Sequence, residues 1–327
     1  MGEKKLKWVM VTNFIHKSLL ENEDCLRTGL YSWIPAFDGE VKLFKDMDKE
    51  DFKNYDIIQV NLSGQDVHLV GEIRKILDET KATNTKLVAN NDYTVELWQS
   101  SFDHLATLRR EIDFADMIFG TEPNQVNTLE ILLKRKVHLI THPCFTKRLK
   151  TLRPKNKLNT ISVVSHRYDN YNIIPSLAVE NLGLKTRLIG YDSSSDKFKY
   201  VTSTRYKQIL EASNYFDFCD QLMESKIVVD PFTLTSQSRV GWDCAALGVP
   251  LVGSNRNYSV IKCFPKTAVP PFDIKAMREM TKKLLNDDKF RQEVIDYAKE
   301  AVEYVSYENS VKKYLKALEE GSPQVDI

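Results

Sequence analysis

Residues 228–254 read VVDPFTLTSQSRVGWDCAALGVPLVGS, and their reading decides the fold. The apolar run Ile227-Val228-Val229 stops at Asp230-Pro231, as a buried strand stops at a loop. Residues 232–239 are polar and rich in Ser and Thr. Residues 240–247 then carry the helix formers Ala245, Ala246 and Leu247. Gly248 stands where a helix C-terminus takes a left-handed residue, and Pro250 follows where the helix cannot continue. Residues 249–252 are again strand-like. The stretch therefore predicts strand, polar loop, short helix, strand. In an open parallel sheet, ligands bind at the loops that leave the strand C-termini. A helix N-terminus in such a place offers backbone N–H groups and a positive dipole end, which suit a phosphate.

The same rhythm runs outward from this stretch. Upstream, strand-like runs at 7–12, 41–44, 55–62, 86–89, 117–119 and 137–140 alternate with helical spacing at 25–37, 67–77, 104–114 and 122–133. Downstream, strands are expected at 160–164, 185–189 and 198–201, and helices at 174–181, 216–223, 272–286, 289–304 and 310–318. Strand and helix in alternation imply parallel sheets covered by helices on both faces. Residues 145–159 (FTKRLKTLRPKNKLN) break the rhythm with basic residues, a Pro and little apolar content. They read as a linker rather than as a surface loop within one domain. The expected division is an N-terminal domain over 1–150, a C-terminal domain over 151–320 and a disordered tail over 321–327.

Composition narrows the class. The chain has 327 residues, 42% apolar and 28% charged, with a formal net charge of +1. That is ample for two ordinary cores. It supplies no global field that would argue for nucleic acid or membrane. The five Cys (25, 144, 219, 244, 263) show no paired spacing, as expected of reduced thiols in a cytoplasmic protein. No apolar run approaches about 18 residues, the length of a membrane-spanning helix. The opening MGEKKLKWVMV is too short in its apolar part for a secretory signal. No His/Cys/Asp spacing makes a metal site.

Two similar-sized α/β halves, this loop and a helical C-terminal end resemble the GT-B glycosyltransferases, and within them the large retaining sugar-nucleotide family. That family's motif begins at a strand-end Pro, with a Glu four residues later and a second Glu eight residues after the first. A small-residue helix and Gly-x-Pro follow. Here Pro231 is followed by Thr235 at the first Glu position and Asp243 at the second, before CAALGVP. The strand ISVVSHRYDNYN resembles the family's first C-terminal strand. Arg167 stands at its Arg, and Asn172 where the family has Lys. Residues 304–308 (YVSYE) resemble the turn before the family's last helix. The resemblance covers residues 155–320; over the first half it rests on strand-helix order.

The resemblance implies a GT-B fold of two facing Rossmann-like domains and assigns roles by position. Asp243 would accept hydrogen bonds from the donor's ribose hydroxyls, a task that suits an acceptor-only carboxylate. Alternatively, it is an acid favoured near a helix N-terminus by the dipole. Thr235, Ser236, Gln237 and Ser238 would hold the diphosphate and sugar, or serve as an N-cap loop. Arg239 would add charge to the diphosphate. Arg167 is the candidate catalytic cation, because charge develops on the departing phosphate oxygen as the glycosidic bond breaks. Thr235 and Asn172 remove one carboxylate and one cation that the family supplies. On the N-terminal side, Asn13, His16 and Asn91 fall at strand ends as acceptor-side candidates. Asp92 is an acceptor contact or base, or else an Asx turn.

The expected function is transfer of a sugar from a nucleotide-sugar donor, with no cofactor and no metal. The acceptor is left open among a glycan, a lipid-linked sugar, a small molecule and a modified nucleic-acid base. The basic segment 147–157 keeps nucleic acid among the partners. The altered acids motivate an alternative, a catalytically impaired GT-B protein that binds nucleotide-sugar or serves as a partner subunit. A sugar-nucleotide epimerase of the same fold is more distant, since no carboxylate or His pair for it is evident.

Overall fold

The computed structural model of the chain describes residues 6–15, 29–62, 66–92, 94, 96, 102–154, 156, 158–164, 177–191, 208–212 and 214–325. The chain divides into two units, one of residues 1–143 with 307–327 and one of residues 144–306.

The first unit is built on a six-stranded sheet. Its strands are β1 (Trp8–Thr12), β2 (Glu40–Leu43), β3 (Ile57–Asn61), β4 (Lys86–Asn91), β5 (Met117–Gly120) and β6 (His138–Leu139). They pair in the order β2-β1-β3-β4-β5-β6, every pair parallel. Strands β1 and β3 are buried at all positions, as a sheet covered on both faces requires. Alternation then sorts the side chains. On one face Val9, Val11, Ile58, Val60, Leu87 and Ile118 pack with Leu69, Val70, Ile73 and Leu77 of helix α2 (Leu69–Glu79). Those four recur at spacings of three and four, the apolar stripe of an amphipathic helix. On the other face Trp8, Met10, Ile57, Val88, Met117 and Phe119 meet Trp33 and Phe37 of helix α1 (Trp33–Phe37). Helices α3 (Phe102–Ile112) and α4 (Pro123–Leu133) complete the N-terminal alternation.

The second face is closed from the far end of the chain. Helix α11 (Tyr307–Glu320) brings Tyr314, which is fully buried. Its ring lies 5.1 Å from Trp33, 5.0 Å from Phe37 and 5.6 Å from Phe119. This corrects the expected division, which gave the closing helix to the C-terminal domain. The expected disordered tail is also corrected through residue 325. Ser322 Oγ accepts from the buried Ile118 N–H at 2.9 Å, Lys136 N donates to Pro323 O at 2.9 Å, and Val325 N to Lys134 O at 2.9 Å. Arg135 Nε donates to Ser322 O at 2.8 Å, while its other nitrogens reach the carbonyls of Ile112, Asp113 and Ala115.

The second unit has strands β7 (Thr160–Val164), β8 (Lys185–Tyr191), β9 (Gln208–Glu211), β10 (Ile227–Asp230), β11 (Leu251–Ser254) and β12 (Ala268–Val269). Their order is β12-β11-β10-β7-β8-β9, again all parallel. Counted from β7, that is the six-strand order of the dinucleotide-binding fold. Its helices are α5 (Thr146–Thr151), α6 (Tyr215–Glu224), α7 (Arg239–Leu247), α8 (Tyr258–Cys263), α9 (Ile274–Asn286) and α10 (Asp288–Ala301). Helix α5 occupies part of the expected linker. Thr146 and Leu149 bury one side of it, and Cys144 N donates to Val305 O at 2.7 Å, so the second unit begins at Cys144 rather than at 151. Strand β9, helix α8 and the two-residue β12 had no clear sequence signal. The expected strand 198–201 lies outside the described residues, as do residues 25–28 and 174–176 of two expected helices. Among the described residues no helix is long and apolar enough to cross a membrane.

Candidate functional site

In the second unit the strand order reverses between β7 and β10. Loops leaving the C-termini of strands at such a point frame the ligand crevice of doubly wound sheets. The loop 231–238 leaves β10 there and runs into α7. It is held by the segment leading into α8 and by the first residues of that helix. Tyr258 N donates to Ser236 O at 2.8 Å, Ser259 N to Gln237 O at 3.0 Å, and Arg256 Nη1 to Thr233 O at 3.1 Å. Thr235, Ser236, Gln237 and Arg239 are half-buried.

Ser238, the N-cap of α7, has φ 40° and ψ 119°, a left-handed backbone unfavourable to any residue with a Cβ. Its hydroxyl does not cap the helix. It donates to Asp230 Oδ2 at 3.1 Å, and Asp230 Oδ1 takes Phe232 N at 3.3 Å. Ser238 thus supplies no side-chain cap to α7 at the ligand edge of the sheet. A Cβ on Gly241 would fall 2.3 Å from Ser259 Oγ, so glycine is what allows α7 and α8 to approach so closely here.

Asp243 lies one turn further along α7 and is fully buried. Its Oδ1 accepts from Tyr215 Oη at 2.7 Å and from Arg239 Nε at 3.0 Å, and stands 3.8 Å from Cys144 Sγ. Arg239 also donates to Tyr215 Oη at 3.1 Å and lies 5.1 Å from that ring's centroid. Asp243 Oδ2 has no hydrogen-bond partner in the described structure. Burial pushes the Asp243 carboxyl up from the ordinary carboxylate range, and the Arg239 guanidinium and Tyr215 hydroxyl draw it partly back. Burial also pushes the Tyr215 phenol well up and the Cys144 thiol up to about 12. Cys144 is therefore an inert thiol at neutral pH. The arrangement joins residues from 144, 215, 239 and 243; only the last two were singled out in the sequence.

Arg167 and His16 lie outside the described residues, as does Asn172. In the first unit, Asn13 follows β1 at the point where strand order reverses between β1 and β3. Its backbone N donates to Asp66 Oδ1 at 2.8 Å, and Asp66 Oδ2 takes the Thr12 hydroxyl at 2.5 Å. Burial raises the Asp66 carboxyl, with Thr12 and Asn13 opposing. Strand β4 runs two residues past its expected end, so Asn90 and Asn91 are fully buried in the sheet and the loop begins at Asp92. Asp92 is half-exposed and its Oδ1 lies 3.0 Å from His142 Nε2. Trp33, Asp66 and Tyr215 are polar partners that the sequence did not single out. Among the described residues no group of His, Cys, Asp and Glu is placed to hold a metal ion.

Two such sheets, with a helix-starting loop at the strand C-termini of the second, define the fold as GT-B. Solved glycosyltransferases match it along their whole length. One is a sucrose-phosphate synthase from Thermosynechococcus elongatus, with TM-score 0.64 and 13% identity, covering 96% of this chain and 98% of that one. Another is trehalose-6-phosphate synthase from E. coli bound with UDP-2-fluoro glucose, with TM-score 0.67, 11% identity and coverage of 95% and 98%. A third is Anabaena HepE in complex with UDP and glucose, with TM-score 0.68, 11% identity and coverage of 96% and 100%. No protein-family model matches the sequence, and no curated protein matches it.

Proposed function

We propose that the protein is a glycosyltransferase that takes its sugar from a nucleoside diphosphate donor held at the loop 231–238 and the start of α7. The observation that carries this reading is Ser238. Its hydroxyl is turned away to Asp230, so the N-cap residue does not close the start of the helix at the switch point of the sheet. Structural neighbours solved with UDP or a UDP-sugar support the donor class. In this reading Thr235, Ser236, Gln237 and Ser238 meet the diphosphate and sugar, and Arg239 adds positive charge nearby. Asp243 Oδ2 is the oxygen left for a ribose hydroxyl; because it is enclosed, that contact requires the surrounding side chains to part. Arg167 steadies the leaving diphosphate, and neither a metal nor a cofactor takes part. Asn13, His16, Asn91 and Asp92 belong to the acceptor side.

A thermal-shift panel of nucleoside diphosphate sugars, followed by an assay for slow donor hydrolysis, tests this reading. A donor at 100 times its Kd should raise stability by about 2.7 kcal/mol. Hydrolysis should persist in chelator and fall about 10²- to 10³-fold in Arg167→Ala, as when an electrostatic stabiliser is removed. Binding without hydrolysis would instead favour a nucleotide-binding partner, the role suggested by Thr235 in place of an acid. Absence of any response to nucleotides would sink the donor site.

A further inference from the structure

We propose that Trp33 and His142 form a tautomer lock that positions Asp92 to accept a hydrogen bond from the acceptor hydroxyl; this rests on the transferase reading above. An indole Nε1–H can only donate. Trp33 Nε1 lies 3.0 Å from His142 Nδ1, so Nδ1 must present its lone pair. In the neutral imidazole the proton then sits on Nε2. Nε2 is the atom 3.0 Å from Asp92 Oδ1. One carboxylate oxygen therefore lies 3.0 Å from a ring nitrogen whose protonation is set, in turn, by the indole donor.

Burial sharpens the arrangement. Trp33 is fully enclosed and His142 is 2% exposed, while the Asp92 side chain is 35% exposed. Trp33 is wedged between Phe37, Phe119 and Tyr314, so the indole cannot swing away from the imidazole. The chain of contacts thus runs from a packed aromatic core outward to a carboxylate at the strand-end rim. Two residues before Asp92, the Asn90 side chain is fully buried, and neither its Nδ2 nor its Oδ1 has a hydrogen-bond partner in the described structure. Buried amides are rarely left unpartnered without a role for water or ligand. A carboxylate with one oxygen set against a ring nitrogen suits recognition of a hydroxyl-bearing neutral molecule.

In this arrangement Asp92 contacts substrate, whereas His142 and Trp33 are positioning residues. The test joins a spectroscopic arm to a kinetic one. In protein labelled with ring-¹⁵N histidine, the His142 ring should show the Nε2–H tautomer in the wild type. In Trp33→Phe, which keeps an aromatic ring but removes the indole donor, the two tautomers should mix. An Nδ1–H ring in the wild type, or no change in Trp33→Phe, would overturn the lock without reference to any donor. The kinetic arm follows UDP-glucose hydrolysis, with water standing in for the acceptor hydroxyl. His142→Gln places an amide donor near the old Nε2 position and should stay within about 3-fold of wild type. His142→Asn cannot reach Asp92 and should lose about 10- to 100-fold in kcat with KM for UDP-glucose unchanged. Equal losses in both variants would overturn the positioning role. Absence of wild-type response to UDP-glucose would count against the transferase reading and withdraw the substrate role of Asp92, while the spectroscopic arm would still report on the lock.

Discussion

Arg239→Met is expected to destabilise the second unit by about 3–5 kcal/mol at neutral pH, because it strands a buried carboxylate without its cation. Asp243 is fully buried, and the Arg239 side chain is only 14% exposed, so solvent screening does little to soften the loss. The pH dependence follows from the direction of the shift. The folded-state carboxyl of Asp243 lies above its ordinary value. Between the unfolded and folded values the folded protein holds more protons, so stability is greatest on the acid side and falls as pH rises through that window. Removing Arg239 takes away a cation that lowers the carboxyl, so the window extends upward and the variant should recover stability on mild acidification. Arg239→Met combined with Asp243→Leu should regain most of what the single change loses, since an apolar pair can replace a buried ion pair at little cost. Denaturant melts of the wild type and these variants across pH 4–8 decide the matter. A single variant within about 0.5 kcal/mol of wild type at every pH would show that the pair does not carry this load.

Removal of residues 321–327 should weaken the first unit by about 3 kcal/mol or more. The tail accepts from the buried Ile118 N–H through Ser322 Oγ, and its Ser322 carbonyl takes Arg135 Nε. It also bonds Lys134 and Lys136 beside β6, and His138 Nε2 lies 2.6 Å from Gly321 O. Each ordinary bond lost costs about 1 kcal/mol, and each buried donor left orphaned about 1–3. Amide exchange is the sharper readout, because a chain of two units need not melt in one step. The Ile118 and Lys136 amides should lose protection in the truncated protein while amides in β7 and β10 keep theirs. Unchanged exchange at Ile118 would refute the role given to the tail. Ser322→Ala isolates one bond and should cost about 1–2 kcal/mol.

The donor-side stretch was legible because its signals are local. An apolar run, Asp-Pro, a polar loop and Gly-x-Pro mark strand, loop, helix and strand, and Gly248 takes the left-handed conformation at φ 69° that its place demanded. The role of Asp243 was less legible. Helix α7 is buried along Val240–Ala246, so no polar face shows which way an acid on it points. Its partners Tyr215 and Cys144 lie 28 and 99 residues away in sequence. Trp33 and His142 are 109 residues apart, and neither sits in a pattern that would betray the other. The spacing of helix α11 announced a helix but not the sheet on which it lies. The tail looked disordered because the seven residues GSPQVDI are too few and too mixed to give periodicity; its order comes from Arg135 and the rim of β6, which no pattern in the tail encodes.

Tyr314 completes an aromatic cluster begun by Trp8, Trp33 and Phe37, which stand 306, 281 and 277 positions earlier in the chain. During synthesis those early aromatics leave the ribosome long before their partner exists. The second unit, contiguous from 144 to 306, has all its own strands in hand by then. Order of emergence and order of completion are therefore inverted: the domain made first is finished last. Its half-built face must wait, exposed, while the whole of the second unit is made, an interval in which uncovered apolar surface is open to aggregation.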